Sequence, residues 1–176
     1  MYSRKGFKPR YKKIRYSNET TSINISSSLT ENTTPTLPVY EGNKKGAILV
    51  SAASVQGTRK VKNMTLSLST IGNQVPLLCT VVYVPQGTDP SDVQAASSSD
   101  RAGMSLYEPN QNVIMQFVIN PVFTTGQGSE TQVYRTRLAR NLDSGDSIML
   151  LFAPAYSLGT AQTVKVVGTF NYAISY

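Results

Sequence analysis

The stretch from residue 163 to the end of the chain constrains the fold more than any other. Val164, Val166, Gly168, Phe170, Tyr172, Ile174 and Tyr176 share one parity, and Lys165, Val167, Thr169, Asn171, Ala173 and Ser175 share the other. A period of two belongs to a β-strand with one buried and one wet face. The chain ends inside this strand, so no tail with a second activity is expected beyond it. Such a strand needs partners, and the sequence offers several. Residues 61–71 alternate in the same way, with Met64, Leu66 and Leu68 on one side and Asn63, Thr65, Ser67 and Ser69 on the other. Further strands are expected at 46–55, 75–84, 112–123, 131–141 and 146–153, with one more possible at 22–28. The run Asp143-Ser144-Gly145-Asp146 marks a turn before the 146–153 strand.

A parallel sheet would require crossover helices, and the chain has almost none to offer. The one candidate opens at Asp89-Pro90-Ser91-Asp92, an N-cap followed by proline at the first helical position, and runs to about Ala96. It lies inside the long connection 85–111, a length that points to function or local structure. The expected fold is therefore all-β: an eight-stranded antiparallel jelly roll of two packed sheets. Residues 75–84 and 148–152 are apolar on both faces, so a second layer of long loops and neighbouring subunits is expected to cover them.

Charge divides the chain in two. Arg4, Lys5, Lys8, Arg10, Lys12, Lys13 and Arg15 crowd the first fifteen residues, and the first acid is Glu19. These are seven of 17 basic residues, which leaves ten bases against ten acids in the remainder, so the arm carries the whole net charge of +7. The expected organisation is a disordered basic arm at 1–17, a connector with a possible first strand at 18–45, and a jelly-roll domain at 46–176.

Interleaved with the bases are Tyr2, Phe7, Tyr11 and Tyr16, so cations can meet phosphates while rings stack on bases of any identity. The candidate nucleic-acid-binding set is Arg4, Lys5, Lys8, Arg10, Lys12, Lys13, Arg15, Tyr11 and Tyr16. Arg135 and Arg137, two apart on a strand and so on one face, join it; Arg59, Lys60 and Lys62 form a further basic group. A nuclear localisation signal or an anionic-membrane tail are the other readings of the arm, and a solvated sheet face or subunit salt bridges the other readings of the body bases. Met1-Tyr2 excludes myristoylation at residue 2.

Catalytic chemistry finds little support. There is no histidine, which removes Ser-His-Asp and Cys-His arrangements and histidine metal sites. Glu108, Glu130, Asp143 and Asp146 read as turn residues. Asp89, Asp92 and Asp100 lack calcium-loop spacing. Cys79 is the single cysteine and reads as a small buried hydrophobe. Neither enzyme activity nor a cofactor is expected. No apolar run spans a membrane and no secretory signal is expected. The four Asn-x-Ser/Thr sequons at Asn18, Asn24, Asn32 and Asn63 are read as chance occurrences in a Ser/Thr-rich chain.

Two stretches carry a family likeness. Ser105-Leu106-Tyr107-Glu108-Pro109-Asn110-Gln111-Asn112-Val113-Ile114 resembles a segment of capsid proteins from small circular Rep-encoding single-stranded DNA viruses, the circovirus- and nanovirus-like group. So does the region 134–151, where Arg135, Arg137, Leu138, Ala139, Arg140 and Asn141 precede Ser144-Gly145-Asp146. The resemblance covers 46–176. It implies a closed icosahedral homo-oligomer, typically of about 60 copies, with arms turned inward on a single-stranded genome. It also implies a virion protein, and the host nucleus is a further expected location during assembly if the basic arm doubles as an import signal. The arm is shorter and less arginine-rich than in circoviruses; about 60 copies would neutralise only about 420 phosphates. Satellite RNA virus capsids share the plan, so DNA is the expected cargo and RNA the alternative. A single-strand-binding module acting as a monomer or small oligomer is the competing function.

Overall fold

The computed structural model describes residues 14–29, 46–54, 56–72, 76–88, 112–120, 130–154 and 162–175. Among them all regular structure is β, in nine strands: β1 (Ser17–Leu29), β2 (Gly46–Val50), β3 (Arg59–Ile71), β4 (Leu77–Val84), β5 (Val113–Ile119), β6 (Gln132–Thr136), β7 (Arg140–Leu142), β8 (Ser147–Pro154) and β9 (Gln162–Ser175). The expected helix at 89–96 lies outside the described residues.

Strand order settles the fold class. One sheet runs β1-β9-β3-β6, with β7 also on β3, and the other runs β2-β8-β4-β5, all pairs antiparallel. With β6 and β7 taken as one interrupted strand, every connection except β4–β5 crosses between the sheets. That is the winding of a jelly roll.

The ninth strand comes from a break in the expected 131–141 strand. β6 pairs with Met64–Leu68 of β3 and β7 with Arg59–Val61. Between them residues 137–139 face a bulge in β3, where the register to β9 shifts between Lys62 and Thr65. Asn63 sits in that bulge at φ 53°, the only non-glycine residue among those described with positive φ. The extra residue resolves a conflict of parity, because Val61 and Met64 are both fully buried although three positions apart. Asparagine tolerates this conformation and a β-branched residue does not. Asn63→Val is therefore expected to cost about 1–2 kcal/mol, and Asn63→Gly almost nothing. Thermal melting would check both, and equal midpoints for Val and Asn would remove the bulge argument.

β1 corrects a second expectation. The possible strand at 22–28 spans thirteen residues from Ser17 and pairs with β9 along its whole length. Few apolar side chains mark it, Ile23 and Ile25 being those among the described side chains that pack inward. Its neighbour supplies the hydrogen bonds that its own pattern does not advertise.

The core lies between the sheets. Phe152, Phe170, Leu49, Met64, Leu66, Leu68, Leu77, Ile119, Leu142, Ile148 and Leu150 are fully buried. Each contributes on the order of 1.5–3 kcal/mol by leaving water. Cys79 belongs to this core, and burial pushes its thiol pKa far up, consistent with an inert small hydrophobe. Both long edges of the sandwich are stitched. Thr21 Oγ1 donates to the Leu49 carbonyl at 2.7 Å between β1 and β2. Phe117 of β5 stacks on Tyr134 of β6 at 3.7 Å between ring centroids. On the outer side of the four-stranded sheet, Val82, Val84 and Leu151 form a second buried cluster within the single chain. Ile48 and Val118, at its flanks, stay about half exposed.

Candidate nucleic-acid interface

Of the candidate residues in the arm, Arg4, Lys5, Lys8, Arg10, Tyr11, Lys12 and Lys13 lie outside the described residues. Arg15 and Tyr16 lie within them, immediately before β1. Arg15 is exposed and Tyr16 is half-buried. The Lys62 ammonium sits 3.5 Å from the centroid of the Tyr16 ring, a cation–π contact that fixes where the arm leaves the sheet.

That departure point adjoins a surface whose strand positions hold no acid. Register and alternation identify the side chains on the outer face of the five-stranded sheet. β1 presents Asn18, Thr20, Ser22, Asn24 and Ser26; β9 presents Lys165, Val167, Thr169, Asn171, Ala173 and Ser175. β3 adds Lys60, Lys62, Thr65, Ser67, Ser69 and Ile71, and β6 adds Val133 and Arg135. None of these positions holds an acid. Lys60, Lys62, Arg135 and Lys165 supply the charge, while hydroxyls, amides and the apolar Ile71, Val133, Val167 and Ala173 fill the space between. Thr20 Oγ1 donates to Asn171 Oδ1 at 2.6 Å, and Ser69 and Thr131 hydroxyls meet at 2.8 Å across strands.

The body bases sort differently from the sequence expectation. Arg135 stands on β6 opposite Thr65 and points outward. Arg137 falls after the end of β6, where the Leu138 amide donates to Thr136 Oγ1 at 3.1 Å, so the two arginines do not share one strand. Both are exposed. Lys60 and Lys62 line the face beside the arm, whereas Arg59 is 4% exposed and turned inward. Lys165 belongs to the face without having been singled out from the sequence; its place in the alternation of the last strand was the available signal.

Arg59 serves the end of the sandwich from which the arm emerges. Its Nη1 donates to the Ser51 carbonyl and its Nη2 to the Asp146 carbonyl, each at 3.0 Å. The Asp146 carboxylate accepts from the Tyr83 hydroxyl at 2.6 Å, the Asp143 amide at 2.8 Å and the Gln86 amide at 3.0 Å. Burial pushes the Asp146 pKa up. The Tyr83 hydroxyl, the two amides and the Arg59 charge outweigh this and hold it below the ordinary carboxylate value. Gly145 completes the turn at φ 86° and donates to the Ala53 carbonyl at 3.1 Å. The expected turn is thus present, and it also ties four loops and strands together beneath the basic face.

No family model and no curated protein matches the chain. Among solved structures it is similar to that of infectious bursal disease virus Gx strain, at 8% identity and TM-score 0.47. That similarity covers 98% of this chain and 36% of the other. The Gt strain of the same virus gives 10% identity, TM-score 0.39 and the same coverage. Desmodium yellow mottle tymovirus gives 11% identity and TM-score 0.25, over 100% of this chain and 93% of the other. The chain thus spans about a third of the length of the first two. The class of the fold, an antiparallel jelly roll, rests on strand order and register.

Proposed function

We propose that the chain is the subunit of a small icosahedral viral capsid that packages single-stranded nucleic acid. The observation that carries this reading is the acid-free face with Lys60, Lys62, Arg135 and Lys165, continuous at Tyr16 with an arm of seven bases. Phosphate contacts of this kind hold a polymer without reading its sequence. One arm binds weakly at physiological salt, and many arms on one polymer bind well through effective concentration. A closed shell of about 60 subunits supplies that multiplicity. The likeness of residues 105–114 and 134–151 to capsid proteins of circular single-stranded DNA viruses makes DNA the favoured cargo. It also makes virion and host nucleus the expected locations. Ile48, Val118 and Leu138 are about half exposed and offer apolar contacts to neighbouring subunits.

Negative-stain microscopy of the intact purified chain tests the proposal, together with its 260/280 nm absorbance ratio. Uniform particles about 20 nm wide that absorb as nucleoprotein are the expected result. A stable 19.2 kDa monomer at every salt concentration would replace the capsid by a single-strand-binding module.

A further inference from the structure

At the arm's end of the sandwich lies a cavity of about 440 Å³. Its walls are Lys60 of β3, Tyr83 of β4, Asn112 just before β5, and Ala139, Arg140 and Asn141 at the start of β7. Two cations and two carboxamides line a space large enough for one nucleotide. The two acids that act on Tyr83 accept other hydrogen bonds as well. Asp146 accepts three hydrogen bonds, including that of Tyr83, and Asp143 Oδ1 accepts from Thr58 Oγ1 at 2.7 Å. Burial first, then the bond to Asp146, pushes the Tyr83 pKa up to about 12, so its ring stays neutral.

Position adds to composition. Lys60, two positions from Lys62, is the register partner of Asn141, and both line the cavity together with Arg140. A strand leaving the arm at Tyr16 and Lys62 therefore meets Lys60 next, and then the cavity.

We propose that this cavity is a nucleotide seat: Lys60 and Arg140 hold one phosphate, and its sugar and base lie against Tyr83. It gives the packaged polymer one fixed point per subunit, where the arm and outer face give only diffuse attraction. This assignment rests on the nucleic-acid reading above.

The test uses the full chain with a short oligothymidylate carrying 4-thiothymidine, cross-linked by near-ultraviolet light and mapped by mass spectrometry. The peptide bearing Tyr83 should cross-link, as should peptides of the arm. Lys60→Gln and Arg140→Gln should each lower the Tyr83 cross-link about tenfold, as expected for loss of a charged hydrogen-bond partner, and Arg140→Gln, which removes no charge from the outer face, should leave the arm cross-links within about twofold. A competition on the unaltered protein stands independently of how those variants fold. Thymidine 5′-monophosphate should suppress the Tyr83 cross-link and an equal concentration of inorganic phosphate should not. Equal suppression by phosphate would mean a simple anion site and overturn the nucleotide seat. Cross-links in the arm without any at Tyr83 would remove the seat and leave nucleic-acid binding standing. No cross-link anywhere would remove both.

Discussion

Deleting residues 1–16 is expected to yield shells that assemble but carry little nucleic acid. The cut falls immediately before β1, whose thirteen pairs with β9 begin at Ser17, so the sheet keeps its edge strand. What is lost is seven bases and the Tyr16 ring against Lys62. On a single strand each phosphate contact contributes about −0.7 to the slope of log affinity against log salt. The seven arm charges together give about −5, and the outward Lys60, Lys62, Arg135 and Lys165 about −3 more. Raising salt from 50 to 200 mM would thus lower the affinity of the intact chain by a factor of about 4 × 10⁴, compared with about 50 for the truncated one. Fluorescence anisotropy with a labelled oligonucleotide measures both slopes. The 260/280 nm ratio of purified particles measures the cargo. Truncated shells still full of nucleic acid would end the arm's role, and truncated protein that no longer assembles would move that role from packaging to assembly.

Much of this architecture was legible from periodicity, and the departures have physical reasons. The last strand reads correctly because it lies between β1 and β3, where one face must be dry and the other wet. β1 reads poorly because an edge strand rich in Ser, Thr and Asn gains most of its order from its partner rather than from its own apolar residues. The broken β6–β7 strand could have been suspected from β3, where Val61 and Met64 claim the same face at opposite parity. Nothing local to residues 131–141 reports that bulge. Among the charged residues, alternation places Lys60 and Lys62 together and Arg59 with Val61 on the other face, but the bulge at Asn63 hides which face is inward, since Met64 has the parity of Lys60 and Lys62. Arg140 is separated from Lys60 by eighty positions and joins it only through the register of β7 on β3. A composite cavity of that kind leaves no motif.

Asp146→Asn should be the most damaging single substitution at the arm's end of the sandwich. Asp146 is 4% exposed, and its two oxygens take three donors: Tyr83 and Asp143 on Oδ2, Gln86 on Oδ1. An asparagine can offer one oxygen, so its NH₂ must face at least one N–H or O–H and leave that donor unsatisfied. The buried Arg59 also loses the negative charge that balances it. Together these costs come to about 2–4 kcal/mol, or a melting midpoint lower by about 5–15 °C for a chain of this size. The sign of the pH dependence follows from the depressed pKa of the folded carboxyl. Its stabilisation is complete above the unfolded value near 3.9 and is lost as pH falls through the folded value. The parent and the variant should therefore differ most at pH 7 and converge in strong acid. Melting curves at both pH values, taken at one protein concentration and one assembly state, test the argument. A gap that stays constant down to acid would show that the carboxylate's charge is not what holds Tyr83, Gln86 and the turn together. The same result would put the weight on Arg59 and its two carbonyls instead.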